Sequence, residues 1–315
     1  MFEFDVSGLR LAALQKQFSV EGVSFRIQDQ VVLIEVENAL GKATISPFGA
    51  TILQFQPVGE KPVLWQSPTA IFDGKKAIRG GIPVCWPWFG QSKTDGHPAH
   101  GFVRNRDWQI SSIQTLPAGT SATTVTKLVF SIESDEQSLE IWPYEFALQL
   151  IVVVGKELTV ELITENRSDK KMEITEALHS YFAVSEVNSL QVKGFAGSEA
   201  IDTLQQPAER SPAGDILDIH SPIDSVFVNQ TQTTEITDSS WKRRIQIAKN
   251  GASSIVWNPG PEIVKDFSDI PDDAWSGYLC VEAGNVWDNA VSISAKQLHS
   301  MKMTVSSFCF DNSRL

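Results

Sequence analysis

Two titratable residues stand on stretches that are otherwise apolar and strand-like. His179 lies in ITEALHSYFA (174–183) and Glu282 in YLCVEAGN (278–285). A glutamate following Leu279, Cys280 and Val281 is expected to be buried, and a buried carboxyl is costly unless it is paired or used. Brought together, an imidazole and a carboxyl could remove a proton from one oxygen while delivering one to another, which is general acid–base chemistry. Spacing alone makes them a candidate acid–base pair. The plain alternative, a satisfied core histidine, stays open.

The stretch Lys75–Trp108 (KKAIRGGIPVCWPWFGQSKTDGHPAHGFVRNRDW) is rich in glycine, proline and aromatics. Pro83, Pro87 and Pro98 are incompatible with a regular sheet interior, so a loop system is expected, and loops on a rigid scaffold are where binding sites concentrate. Trp86, Trp88 and Phe89 offer flat faces that could stack on a sugar ring or simply pack under the loop. Arg79 precedes Gly80-Gly81, and Arg104 follows His100 by four positions. Guanidinium forks bind phosphate or carboxylate in bidentate fashion, although a lone arginine is more often a solvated surface residue. His97, His220 and His299 sit in turn-like or peripheral contexts and receive no role.

The elements that must position these residues are mostly strands. Ser7–Phe18 places Leu11, Leu14 and Phe18 at helical spacing behind a Ser7 N-cap. Strand patterns then cover Val31–Glu37, Lys42–Ser46 and Thr51–Gln56, and a hairpin of Phe146–Val154 and Leu158–Asn166 turns near Gly155-Lys156. Further strands are predicted over Met172–Phe182, Leu190–Lys193, Arg244–Ala248, Ser254–Trp257, Tyr278–Glu282, Ala290–Ala295 and Met303–Phe310. Glu199–Asp215 reads as a long surface loop. Short spacing between strands favours antiparallel pairing, hence an all-β, large antiparallel sandwich with a few short helices.

Composition limits the rest. The 315 residues carry a net charge of −12, which argues against nucleic-acid partners. It also makes any phosphate site a local exception. Cys85, Cys280 and Cys309 form no CxxC pair, so neither a disulfide framework nor a zinc site is expected, and the reducing cytoplasm is the default compartment. No apolar run reaches the roughly 18 residues that span a bilayer. Met1–Arg10, with Glu3 and Asp5, does not read as a secretory signal.

Taken in order, RGGIPVCWPWFG, HGFVR, ALHSYF, IDSVF, VWNPG and CVEAGN resemble the hexose-6-phosphate mutarotase (glucose-6-phosphate 1-epimerase) branch of the aldose 1-epimerase, galactose mutarotase-like superfamily. The resemblance covers roughly residues 30 to 310. It implies a single galactose mutarotase-like domain over 1–315, with 1–25 as an N-terminal extension, and a cleft on the concave face of a two-sheet sandwich. It implies catalysis by His179 as acid and Glu282 as base, with substrate held by Arg79, His100, Arg104 and Asp224. It further implies a small-molecule sugar phosphate as partner, a monomer, and neither cofactor nor metal. The family pattern often has glutamine before the HG pair, where this chain has Ala99. The competing readings are an aldose 1-epimerase of free sugars, which gives no reason for two cleft arginines, and a non-catalytic carbohydrate-binding sandwich, which would keep aromatic platforms but would not need both His179 and Glu282. An accessory sandwich of a glycoside hydrolase or lyase would need a catalytic module for which the chain has no room.

Overall fold

The computed structural model describes residues 6–119 and 123–310. Every strand ladder is antiparallel, and the described strands gather mainly into a nine-stranded sheet, an eight-stranded sheet and a four-stranded sheet. The period-2 pattern explains the ladders. Along Leu158–Asn166 buried and half-exposed residues alternate without a break, and the partner strand Phe146–Val154 pairs with it from Phe146↔Asn166 to Val154↔Leu158. The buried faces meet in one hydrophobic cluster that includes Phe55, Trp86, Phe130, Phe146, Phe182, Phe195 and Met303.

Most expected strands are present, with ends moved by a few residues. The C-terminal one is longer, running Leu298–Cys309. The helix covers Val6–Gln17, so Ser7 lies within its first turn and not ahead of it, while Leu11, Leu14 and Phe18 pack on the core. Residues 1–5, with Glu3 and Asp5, lie outside the described residues.

Two expectations are corrected. Met172–Phe182 is not one strand but three: Met172–Ile174 pairs with Val291–Ile293, whereas Glu176–Leu178 and Tyr181–Ala183 both pair with Tyr278–Asn285. Glu199–Asp215 is not a loop. It contains an edge hairpin of Glu199–Asp202 and Glu209–Pro212, whose outer strand is exposed throughout and therefore lacks the apolar alternation that marks a strand.

Candidate active site

The eight-stranded sheet sets the floor of a cleft. Strand Ile223–Val228 pairs with Ser253–Asn258, which pairs with Tyr278–Asn285. Register places Val226 beside Ile255 and Ile255 beside Glu282. On the far side Leu178 pairs with Ala283 and Tyr181 with Cys280, so the same register carries His179 opposite Glu282. Directly opposite residues share a face of the sheet. The ladder is interrupted at His179, whose backbone N–H donates to the carbonyl of Pro83 in the loop system.

His179 Nε2 lies 3.4 Å from Glu282 Oε1. Both side chains are buried, and His179 Nδ1 and Glu282 Oε2 have no hydrogen-bond partner. Buried polar atoms are rarely left unpaired, and these two belong to residues that line the same cleft. Burial pushes the Glu282 carboxyl well up, and nearby Asp224 pushes it further, while Arg104 pulls the other way. Burial also pushes His179 well down, aided by His100, Arg104 and Arg79. These directions favour a neutral imidazole beside a protonated carboxyl. That pair holds one transferable proton, as the imidazolium–carboxylate pair does.

The wall comes from the loop system. Gly81 (φ +69°) and Gly101 (φ +72°) both occupy the left-handed region, and a Cβ at either would fall on backbone oxygen, of Ile52 and of Trp86 respectively. These two approaches set the backbone after Arg79 against the strand Thr51–Pro57 of the four-stranded sheet, and the His100–Arg104 segment against Trp86 within the loop system. Arg79 Nε faces both oxygens of Asp269 at 3.2 Å, and its Nη1 donates to Tyr181 Oη at 3.2 Å. Its guanidinium carbon lies 4.9 Å from the centre of the Phe267 ring. Arg104 differs. Its Nη2 donates to the Ala99 carbonyl at 3.0 Å, its buried Nε has no partner, and it forms no ion pair among the described residues. His100 accepts from the Gly90 N–H through Nδ1, which leaves Nε2 to carry the hydrogen. Burial, Arg104 and Arg79 push His100 down to about 3, so it stays neutral.

Arg79, His100, Arg104, His179, Asp224 and Glu282 all line one cleft of about 580 Å³. The proposed aromatic platforms fare differently. Trp86 is fully buried in the core against Trp142 and Phe146, and Trp88 packs on Phe102 and His97; of the three only Phe89 reaches the cleft. The aromatic floor is instead Tyr181, stacked on His179 at 4.9 Å between centroids, and Trp257, edge-on to both. The alternation of Ile255 and Trp257 along the strand Ser253–Asn258 carried that signal, since both fall on the face of Glu282. Nothing local marked Asp269, one of several acidic residues in a polar loop. His299, given no role, donates to or accepts from the buried Glu176 at 2.6 Å.

Comparison with known proteins places the chain that carries this cleft. The aldose 1-epimerase family pattern covers residues 32–306. The chain belongs to the aldose 1-epimerase family. Members are isomerases that exchange sugar anomers, and this epimerase carries their sandwich. It is 33% identical over 278 residues to an Escherichia coli (strain K12) protein named "Putative glucose-6-phosphate 1-epimerase", covering 88% of this chain and 91% of that one. A protein of the same name from Cenchrus ciliaris is 30% identical over 285 residues, covering 85% and 84%. Among solved structures, a "putative mutarotase" from Salmonella typhimurium superposes with a TM-score of 0.84 at 30% identity, covering 92% of this chain and 95% of that one. The galactose 1-epimerase of Lactobacillus acidophilus NCFM shares the fold, with a TM-score of 0.68 at 12% identity.

Proposed function

We propose that this epimerase interconverts the α and β anomers of hexose 6-phosphates, glucose 6-phosphate among them. The observation that carries the reading is Arg104. A cleft guanidinium without a carboxylate partner and with a buried, unpaired Nε is an anion site, and a neutral sugar would leave that charge uncompensated. Arg79 adds a second cation on the same wall, its Nη2 without a protein partner among the described residues. The names of the relatives from Escherichia coli and Cenchrus ciliaris agree with a phosphorylated substrate.

The chemistry follows from the pair. Glu282 takes the proton of the C1 hydroxyl while His179 gives one to the ring oxygen, and the C1–O5 bond breaks to an open aldehyde. Rotation about C1–C2 presents the other carbonyl face. Closure runs the same transfers backwards, so the pair ends as it began. Substrate itself readies the acid. Arg104 and Arg79 both hold His179 down, and a phosphate dianion seated on them cancels that field, moving His179 towards imidazolium. A sugar hydroxyl donating to Glu282 likewise favours its carboxylate. Asp224 and the Nε2–H of His100 are placed to hold ring hydroxyls. Monomeric action in the cytoplasm belongs to the same proposal; among the described residues no helix is long and apolar enough to cross a membrane.

The test is anomer exchange, followed by NMR, on glucose 6-phosphate and glucose. Each charge-assisted contact is worth roughly 1.5–3 kcal/mol, so kcat/KM should favour the phosphate by about a hundredfold or more. Equal turnover of the two sugars would sink the phosphate reading and leave a general aldose 1-epimerase. No acceleration of either would leave a carbohydrate-binding sandwich.

A further inference from the structure

The catalytic cleft does not end at the pair. Phe89, Gln91 and Trp287 line both it and a second cleft of about 470 Å³. A smaller hollow of about 210 Å³ shares Arg79, Arg104 and Tyr181 with the catalytic cleft, and no residue lines both annexes. One annex therefore adjoins the arginines, and the other meets the catalytic cleft at Phe89, Gln91 and Trp287. The second cleft is ligand-sized, with apolar surface from Trp88, Ile141 and Trp142 and hydrogen-bonding groups at Gln91 and Thr94.

Its gatepost is a strained residue. Trp287 is 43% exposed and has φ +55°, a left-handed conformation that bulky side chains avoid. The turn is pinned on both sides. Arg210 Nη1 donates to Asp288 at 2.7 Å, and Asn289 Oδ1 accepts from Ser253 Oγ and from the Asn229 N–H, each at 2.9 Å. Strain that the surroundings over-determine in this way belongs to functional sites, and here it holds an indole at the junction of two clefts.

We propose that the second cleft is an acyl subsite, and that the enzyme also exchanges the anomers of 2-acylamido-2-deoxyhexose 6-phosphates with Trp287 packed against the acyl chain. This rests on the phosphate reading above. In a pyranose the phosphate-bearing C6 hangs from C5, and the ring atom opposite C5 is C2. With phosphate at Arg79 and Arg104 and C1 at His179 and Glu282, the C2 edge faces away from the arginines, and its substituent passes beside Phe89, Gln91 and Trp287, which border the second cleft. The reaction is unchanged, because only the C1–O5 bond opens and recloses. The annex exceeds what an acetyl group fills, so longer chains are accommodated too.

The experiment is anomer-exchange NMR with N-acetyl-, N-butanoyl- and N-hexanoylglucosamine 6-phosphate, with glucose 6-phosphate as reference. All three acyl sugars should stay within about tenfold of the reference in kcat/KM, since a preformed space imposes no repacking. Trp287→Ala should lower kcat/KM for the hexanoyl sugar by about tenfold more than for glucose 6-phosphate, and Trp287→Phe, which keeps a flat ring, by less. Turnover of glucose 6-phosphate with a collapse at the acetyl sugar, or an equal loss for all substrates in Trp287→Ala, overturns this proposal alone. Failure with glucose 6-phosphate itself overturns the reading beneath it as well.

Discussion

The floor of the cleft is strand, and its arginine wall is loop. Glu282 and His179 are fixed by ladder register and by burial, and each keeps a buried atom with no partner. Arg79 and Arg104 are fixed by glycine-dependent backbone approaches and side-chain bonds, and are half-buried. The difference divides the labour. Groups whose position is set by a sheet and whose protonation is set by burial suit a step that tolerates little misplacement. Groups carried on a loop suit holding a distant, strongly charged handle. Substitutions in the two regions should therefore separate into effects on turnover and effects on substrate capture.

The largest effect belongs to the floor. Glu282→Gln and His179→Asn should each lower kcat by roughly 10²–10⁴, the usual worth of one acid–base group, with KM for glucose 6-phosphate changed far less. Circular dichroism should show both variants folded. A His179→Asn enzyme that keeps turnover at saturation but binds poorly would mean that this residue only holds the sugar, and the division would fail at its main point.

The wall should give the next effect, and its two arginines should not behave alike. Arg104→Ala should raise KM for glucose 6-phosphate about ten- to a hundredfold, because a charge-assisted contact is lost. Activity on free glucose should not fall, since removing that charge also relieves its pull on His179. Arg79→Ala should cost more than Arg104→Ala, because it strands the half-buried Asp269 carboxylate beside the incoming phosphate. Adding Asp269→Asn to Arg79→Ala should recover part of that loss. A double variant no better than the single one would show that Asp269 does not face the substrate.

How much of this is legible in the sequence follows from the same division. Strand floors announce themselves: a titratable residue inside an apolar alternating run is conspicuous, and His179 and Glu282 stand out that way without any resemblance. The wall arginines need the motifs around them, since an arginine beside glycines has no unique meaning. Aromatic roles cannot be read by type. Trp86 and Trp257 are the same residue type, yet one is buried in the core while the other lines the cleft. Partners from distant loops are invisible, because Asp269 meets Arg79 across 190 positions of chain. The edge strand Glu209–Pro212 escapes for a related reason: it buries nothing, so no hydrophobic period records it.

The smallest effect decides how the floor is charged. Burial raises the folded-state pKa of Glu282 well above its ordinary value. Below the unfolded pKa, about 4.3, both states hold the proton and the group contributes nothing to the pH dependence. Between that value and the raised one, the unfolded chain ionises while the folded chain keeps its proton. The folded state then binds more protons, so stability falls as pH rises, by up to about 1.4 kcal/mol per pH unit, until the folded pKa is passed. An amide at this position has no proton to hold and escapes the slope. Glu282→Gln should therefore melt close to wild type near pH 4.5 and higher than wild type at neutral pH, by a few degrees at most for a chain of this size. His179, depressed in the fold, contributes the opposite slope below its ordinary value of about 6.5, but it does so in both proteins and cancels from the comparison. Melting temperature against pH for the two proteins is the measurement. A variant that is less stable than wild type at neutral pH, by a margin that shrinks as pH falls through the carboxylate range, would mean that the carboxylate is ionised and paired with imidazolium. The proton would then sit on His179 before the sugar arrives, and the phosphate would have nothing left to switch on.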